Sequence, residues 1–105
     1  MRVKIPREIK LGVWSYALSL VRGLKLKDGV WGDSQHVHYL LRIDKDLPEI
    51  ERMATLIHEV LHIINEQYKA GLDEDTIGRL ESGLTEFMTR NLNIEFDWSE
   101  IEEAP

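Results

Sequence analysis

In the first half of the chain, apolar and polar positions alternate as they do in β-strands. Residues 14–21 form one such run and residues 35–43 form the next. Between them, the Asp28-Gly29 pair is a tight-turn signal, so residues 24–30 are expected to form a ragged hairpin. The pattern therefore predicts a small β-sheet in which each strand buries one face.

The second half of the chain changes to the helical period. Apolar residues from Ile50 to Tyr68 recur at intervals of three and four, which predicts one long amphipathic helix. Asp46 is expected to cap this helix, with Pro48 in its first turn and Gly71 at its end. A second helix is expected to begin with the acids at 73–75 and to end near residues 91–93. Strands followed by helices indicate an α+β fold.

The bulk properties narrow the class of protein. The chain has 105 residues, which fits a single domain over residues 1–105. Its net charge of −6 argues against a nucleic-acid partner, which requires a basic surface. Because it has no cysteine, disulfides, thiolate catalysis and cysteine-ligated zinc are excluded. No apolar run resembles a signal peptide or a membrane span, so a cytoplasmic protein without a membrane partner is expected.

One pentapeptide in the first predicted helix carries metal chemistry. His58-Glu59-Val60-Leu61-His62 has the form H-E-x-x-H. Residues four apart on a helix share a face, so His58 and His62 can coordinate one zinc ion. Glu59 then lies beside the metal and can act as general base on a water molecule. The alternative to a zinc site is a helix that carries ordinary surface histidines without a metal.

A catalytic zinc site usually has three protein ligands, so a third ligand is required. Glu81 is the first choice, because it shares a face of the last helix with Ile77 and Leu84 and is expected to point towards the core. A carboxylate buried there needs a metal or another cation as partner. Glu74 is the second candidate on the same face, although helix capping explains it equally well.

Several other residues have both a functional and a structural interpretation. His36 and His38 share a strand face, where they form a polar surface, bind a metal or stabilise an oxyanion. Tyr39 and Tyr68 have the same possible role, or are core aromatics with a hydroxyl at the rim. Residues 94–105 form an acidic and partly apolar tail, which is expected to dock on the surface, to fray or to inhibit the site, and its last four residues are expected to be solvated.

Inhibition of the site is the most specific of the roles suggested for the tail. An acid such as Asp97 or Glu100 would then fill the open coordination position of the zinc and keep the enzyme latent.

Three segments of the chain resemble the minigluzincins, a family of very small H-E-x-x-H zinc metallopeptidases. These segments are Tyr39-Leu-Leu-Arg-Ile-Asp44, Thr55-Leu-Ile-His-Glu-Val-Leu-His62 and Leu80-Glu-Ser-Gly-Leu84. The resemblance implies a minimal zincin-like domain with a small N-terminal sheet, an active-site helix and a C-terminal glutamate helix. It implies Glu81 as the third zinc ligand and tail-dependent latency. The family often has Asp four residues after that ligand, where this chain has Thr85, so no carboxylate is assigned to support the histidines.

These observations together predict a zinc metalloendopeptidase. His58, His62 and Glu81 would hold Zn²⁺, and Glu59 would be the general base. A substrate peptide in extended conformation would pair with residues 35–43 as the edge strand. The alternative is a zinc-binding or protein-interaction module without catalysis, and a third possibility is a regulatory subunit of a larger complex.

Overall fold

The computed structural model describes residues 1–104. It is an α+β domain in which a small mixed sheet is followed by two long helices. Its elements in chain order are β1 (Arg2–Lys4), β2 (Glu8–Leu11), β3 (Trp14–Val21), α1 (Leu24–Asp28), β4 (Gly32–Gln35), β5 (Leu40–Asp44), α2 (Glu49–Tyr68), α3 (Glu74–Arg90) and β6 (Glu95–Asp97).

The main sheet has four strands in the order β2-β3-β5-β4. The central pair, β3 and β5, is parallel, and both outer pairs are antiparallel. Leu41 and Ile43 of β5 and Leu56 and Ile63 of α2 are buried in one apolar cluster. Helix α2 therefore covers the sheet, and α3 packs on α2 as the outer layer.

Two expectations about the sheet are wrong. Within the segment 24–30, Leu24–Asp28 form a short helix, which ends at Gly29 because this glycine adopts the left-handed conformation and donates its N–H to the Lys25 carbonyl. The alternating run 35–43 is divided between β4 and β5 by a turn at residues 36–39, where Tyr39 has a φ of 54°. Consequently β5 is a central strand, and β4 is the edge strand next to α2.

The start of α2 also differs from the prediction. Pro48, rather than Asp46, is the N-cap, and no side chain caps this end. The Asp46 carboxylate accepts a hydrogen bond from the Gly23 backbone N–H at 2.9 Å. It therefore ties the turn before α1 to the turn before α2.

The C-terminal segment is part of the fold. Strand β6 pairs in parallel with β1, and Trp98 and Ile101 are buried in the main core cluster. Further along, the backbone of Glu103 bridges to Leu20, and its carboxylate pairs with Lys45. Within residues 1–104, no helix has the length and apolar character needed to cross a bilayer.

Candidate metal centre

Helix α2 presents both histidines of the pentapeptide on one side. The ring centroids of His58 and His62 are 4.9 Å apart, and both side chains are half-buried between α2 and α3. This follows from the four-residue spacing, which advances about 6 Å along a helix and slightly exceeds one turn. The two rings therefore face the same space, as the sequence predicts.

Helix α3 brings two carboxylates to these rings. The two oxygens of Glu74 lie 2.7 Å from His58 Nε2 and 3.0 Å from His62 Nε2. Glu81 Oε1 lies 2.8 Å from the other ring nitrogen of His58, Nδ1. The two acids are seven residues apart, or about two helical turns, so they share one face of α3.

The two acids occupy different positions around the histidines. Glu81, the third ligand that the sequence favours, contacts His58 at Nδ1. Glu74, the second candidate, lies where the two Nε2 atoms converge. One ligand atom from each of His58, His62 and Glu74 can be chosen so that all three lie within 4.8 Å of one another.

The donor set of His58, His62 and Glu74 fits zinc. Two imidazole nitrogens and one carboxylate oxygen are ligands that zinc prefers when cysteine is absent. These three residues would hold the ion with side-chain atoms that already lie within 4.8 Å of one another. Glu81 at Nδ1 would orient the His58 ring, as carboxylates commonly do for metal-bound histidines.

The loop between α2 and α3 fixes the position of Glu74. Asn65 Nδ2 donates to the Leu72 carbonyl at 3.1 Å, and the Leu72 N–H donates to Asn65 Oδ1 at 2.8 Å. Asp73 then caps α3 by accepting a hydrogen bond from the Thr76 N–H at 2.8 Å, which confirms the predicted acidic start of this helix. Glu74 therefore follows directly after two anchored residues.

Glu59 points from α2 towards the sheet. Its side chain is buried, with 7% of the residue exposed, and Ser34 Oγ on β4 donates to Glu59 Oε1 at 3.1 Å. Burial raises the pKa of Glu59, while the hydrogen bond from Ser34 and the nearby histidines oppose that shift. The sequence does not predict this contact of Ser34 with Glu59, because one serine in a short polar strand has no feature that distinguishes it from other polar residues.

The close approach of β4 to α2 depends on Gly32. A Cβ atom at this position would lie 2.6 Å from Thr55 Cγ2 and 3.0 Å from the Arg42 carbonyl oxygen. Since neither neighbour is a flexible chain end, only glycine permits this spacing. The contact between Ser34 and Glu59 is thus set by a glycine two residues away.

A cleft of about 540 Å³ runs between β4 on one side and α2 and α3 on the other. It is lined by Glu59, by the His58, His62 and Glu74 cluster, and by Glu81. Among the described residues, Lys25 is the only lysine or arginine in its wall, so the cleft is predominantly acidic.

His58 holds a proton readily in the absence of a metal. Burial lowers the pKa of this imidazole, but hydrogen bonds to Glu81 and Glu74 outweigh burial and raise its pKa above the ordinary value. The two carboxylates therefore favour a positive charge at this position, whether from a proton or from a metal ion.

The four residues that the sequence suggests as oxyanion stabilisers differ in whether they line the cleft. His36 lines the cleft, and its Nδ1 lies 2.8 Å from Tyr16 Oη. His38 and Tyr68 are exposed and lie outside the cleft wall, and Tyr39 stacks on Trp14 at 4.9 Å.

The structure does not bring the acids of the tail to the cleft. Asp97 accepts a hydrogen bond from the Ser99 N–H, and Glu100 forms ion pairs with Lys4 and Arg7.

Comparison with protein-family models, with curated proteins and with solved structures gives no match to this chain. The resemblance to minigluzincins therefore rests on the three sequence segments alone.

Proposed function

We propose that this protein is a zinc-dependent peptidase with a minimal zincin-like domain. The observation that carries the proposal is the convergence of His58 Nε2, His62 Nε2 and the Glu74 carboxylate beside a buried Glu59. Three ligands of suitable type leave a tetrahedral ion with one exchangeable position, as in catalytic zinc sites.

The proposed ligands are His58, His62 and Glu74, with Glu81 orienting His58. When bound, zinc supplies Lewis-acid chemistry that polarises a peptide carbonyl and makes water more acidic. Glu59 accepts the proton of the attacking water and delivers it to the leaving amine. Ser34 holds one oxygen of Glu59, which leaves the other oxygen for this proton transfer.

The substrate is proposed to be a peptide in extended conformation along β4. This strand pairs only with β5 among residues 1–104, so its outer backbone groups face the cleft side without a strand partner. A peptide can pair with such an edge by β-augmentation, in register with the ligands on α2. The edge strand in this proposal is thus β4 and replaces the run 35–43.

The proposal is tested by measuring the metal and the activity together. We expect one zinc per chain by elemental analysis, cleavage of unfolded casein, and loss of cleavage after chelation that zinc restores. Glu59→Gln should keep the zinc and lose the cleavage. A chain that binds no zinc would overturn the proposal, and zinc binding without cleavage would favour the non-catalytic module.

A further inference from the structure

His36 occupies a defined place beside the proposed metal centre. In a strand, residues two apart lie on the same face and about 6.6 Å apart. Gly32 faces Thr55, Ser34 faces Glu59, and His36 follows on the same side just beyond the end of β4. His36 is the first residue of the turn that follows β4, and it lines the same cleft as Glu59 and His62.

The orientation of the His36 ring is fixed from the core side. Tyr16 Oη lies 2.8 Å from His36 Nδ1, and the two rings meet edge to face with centroids 5.8 Å apart. Tyr16 is 1% exposed and belongs to the core cluster, so its hydroxyl has a fixed position. Among residues 1–104, His36 Nε2 has no hydrogen-bond partner and remains available to the cleft.

The direction of the Tyr16 hydrogen bond determines the tautomer of His36. Burial raises the pKa of Tyr16, so the phenol stays protonated. Among residues 1–104, His36 Nδ1 is the only hydrogen-bond partner of this hydroxyl, so Tyr16 donates its proton to Nδ1. A neutral imidazole that accepts at Nδ1 carries its proton on Nε2.

We infer that His36 is a catalytic hydrogen-bond donor, whose Nε2–H binds the carbonyl oxygen of a peptide lying along β4. This inference rests on the proposed peptidase function. The carbonyl oxygen gains negative charge as water attacks, and a fixed donor then binds it more tightly than in the ground state. Tyr16 is the positioning residue that holds the donor tautomer.

A purely structural role for His36 is the competing explanation, since Tyr16 has a buried hydroxyl that needs a partner. The two explanations differ in what they predict for turnover. A structural histidine affects stability and leaves kcat unchanged in the folded protein, whereas a donor to the carbonyl oxygen affects kcat with little change in KM.

The first test is kinetic and uses the zinc-loaded full chain. We expect His36→Ala to lower kcat for casein-derived peptides by about 10²–10³-fold, with unchanged zinc content. His36→Gln restores an N–H donor and should recover part of this loss, and Tyr16→Phe should show a smaller loss. His38→Ala is the matched control, because His38 is exposed two residues away and lies outside the cleft.

The second test needs no turnover. Nitrogen-15 NMR of the histidine rings reports which ring nitrogen carries the proton, in metal-free and zinc-loaded protein. We expect the neutral His36 ring to be protonated on Nε2 in the parent chain and to become a mixture of tautomers in Tyr16→Phe. A ring protonated on Nδ1 in the parent chain would overturn the inference.

The outcomes separate this inference from the proposed function. If the parent chain cleaves peptides, Glu59→Gln does not, and His36→Ala retains kcat within about threefold, only the role of His36 is wrong. If the zinc-loaded parent chain cleaves nothing, the proposed function fails and the inference fails with it.

Discussion

The two sides of the candidate site are built differently. On the α2 side, Glu59 is 7% exposed and is held by Ser34, and the helix itself packs on the sheet through the core. On the α3 side, the Glu74 side chain is 68% exposed and depends on the loop anchored by Asn65 and Asp73. The proposed base is thus embedded in the fold, while the proposed third ligand lies on its surface.

This difference indicates which property each side controls. A buried carboxylate beside a fixed donor is suited to proton transfer, because its environment changes little during a reaction. An exposed carboxylate on the first turn of a helix can adjust to a metal ion at small cost. We therefore expect changes at Glu59 and Ser34 to affect turnover first, and changes at Glu74 and Glu81 to affect metal affinity first.

The largest expected effect comes from Glu59→Gln. Loss of the base should lower kcat by about 10³-fold or more, since positioned proton transfer contributes up to about 10⁴-fold. The zinc affinity should stay close to that of the parent chain, because Glu59 Oε1 bonds to Ser34 and is outside the ligand cluster. Peptide cleavage and competitive zinc titration measure the two quantities, and a large loss of zinc in this variant would remove the proposed division between the two sides.

The second prediction compares Glu74→Gln with Glu81→Gln. Glu74→Gln should lose a ligand and most of the zinc affinity. Glu81→Gln should weaken zinc binding by only about 10–100-fold, the range for residues that orient a ligand. Zinc titration of both variants decides the assignment. If Glu81→Gln has the larger effect, Glu81 is the ligand, as the sequence alone suggested.

The comparison of the two acids shows what the sequence could predict. The spacing within His58-Glu59-Val60-Leu61-His62 fixes three side chains on one element, and the structure brings both histidines together as expected. Glu74 and Glu81 share a face of α3, so the pattern limits the choice to these two. Deciding between them requires the tilt and offset of α3 on α2, which depend on side-chain packing and on the loop.

Other features were predictable only in part for the same reason. The alternation over residues 35–43 continues through the turn at 36–39, because Tyr39 adopts a left-handed conformation that sequence patterns assign to glycine. The sequence predicts a tail over residues 94–105 that docks on the surface or frays, but it does not predict that Trp98 and Ile101 are buried in the main core. In both cases, contacts between distant parts of the chain override the local pattern.

The third prediction concerns the spacing of β4 and α2. Gly32→Ala forces a Cβ atom against Thr55 and the Arg42 carbonyl, so we expect a loss of about 1–3 kcal/mol in the free energy of unfolding. Turnover should fall because Ser34 moves away from Glu59, while zinc binding remains. Urea unfolding and peptide cleavage measure these effects.

Gly83→Ala is the matched control for this prediction. Nothing lies within 4 Å of an added Cβ at Gly83 on α3, and alanine favours the helix by about 0.5–1 kcal/mol. A Gly32→Ala chain as stable and active as Gly83→Ala would contradict the tight approach of β4 to α2.

The smallest expected effect is the pH dependence of the metal-free protein. Hydrogen bonds to Glu81 and Glu74 raise the pKa of His58 above 6.5 in spite of burial. When the pKa of a group is higher in the folded than in the unfolded state, protonation of that group stabilises the fold. This contribution is complete below the unfolded pKa of 6.5 and is lost as the pH rises through the folded pKa. In the presence of a chelator, the advantage of the parent chain over Glu81→Gln in thermal unfolding should therefore shrink as the pH rises above about 6.5. With zinc the trend should reverse, because the metal competes with the proton for His58 and binds more tightly as the pH rises. An advantage that grows with pH in the chelated protein would show that Glu81 does not act on a protonated His58, and the α3 side of the site would then need a different account.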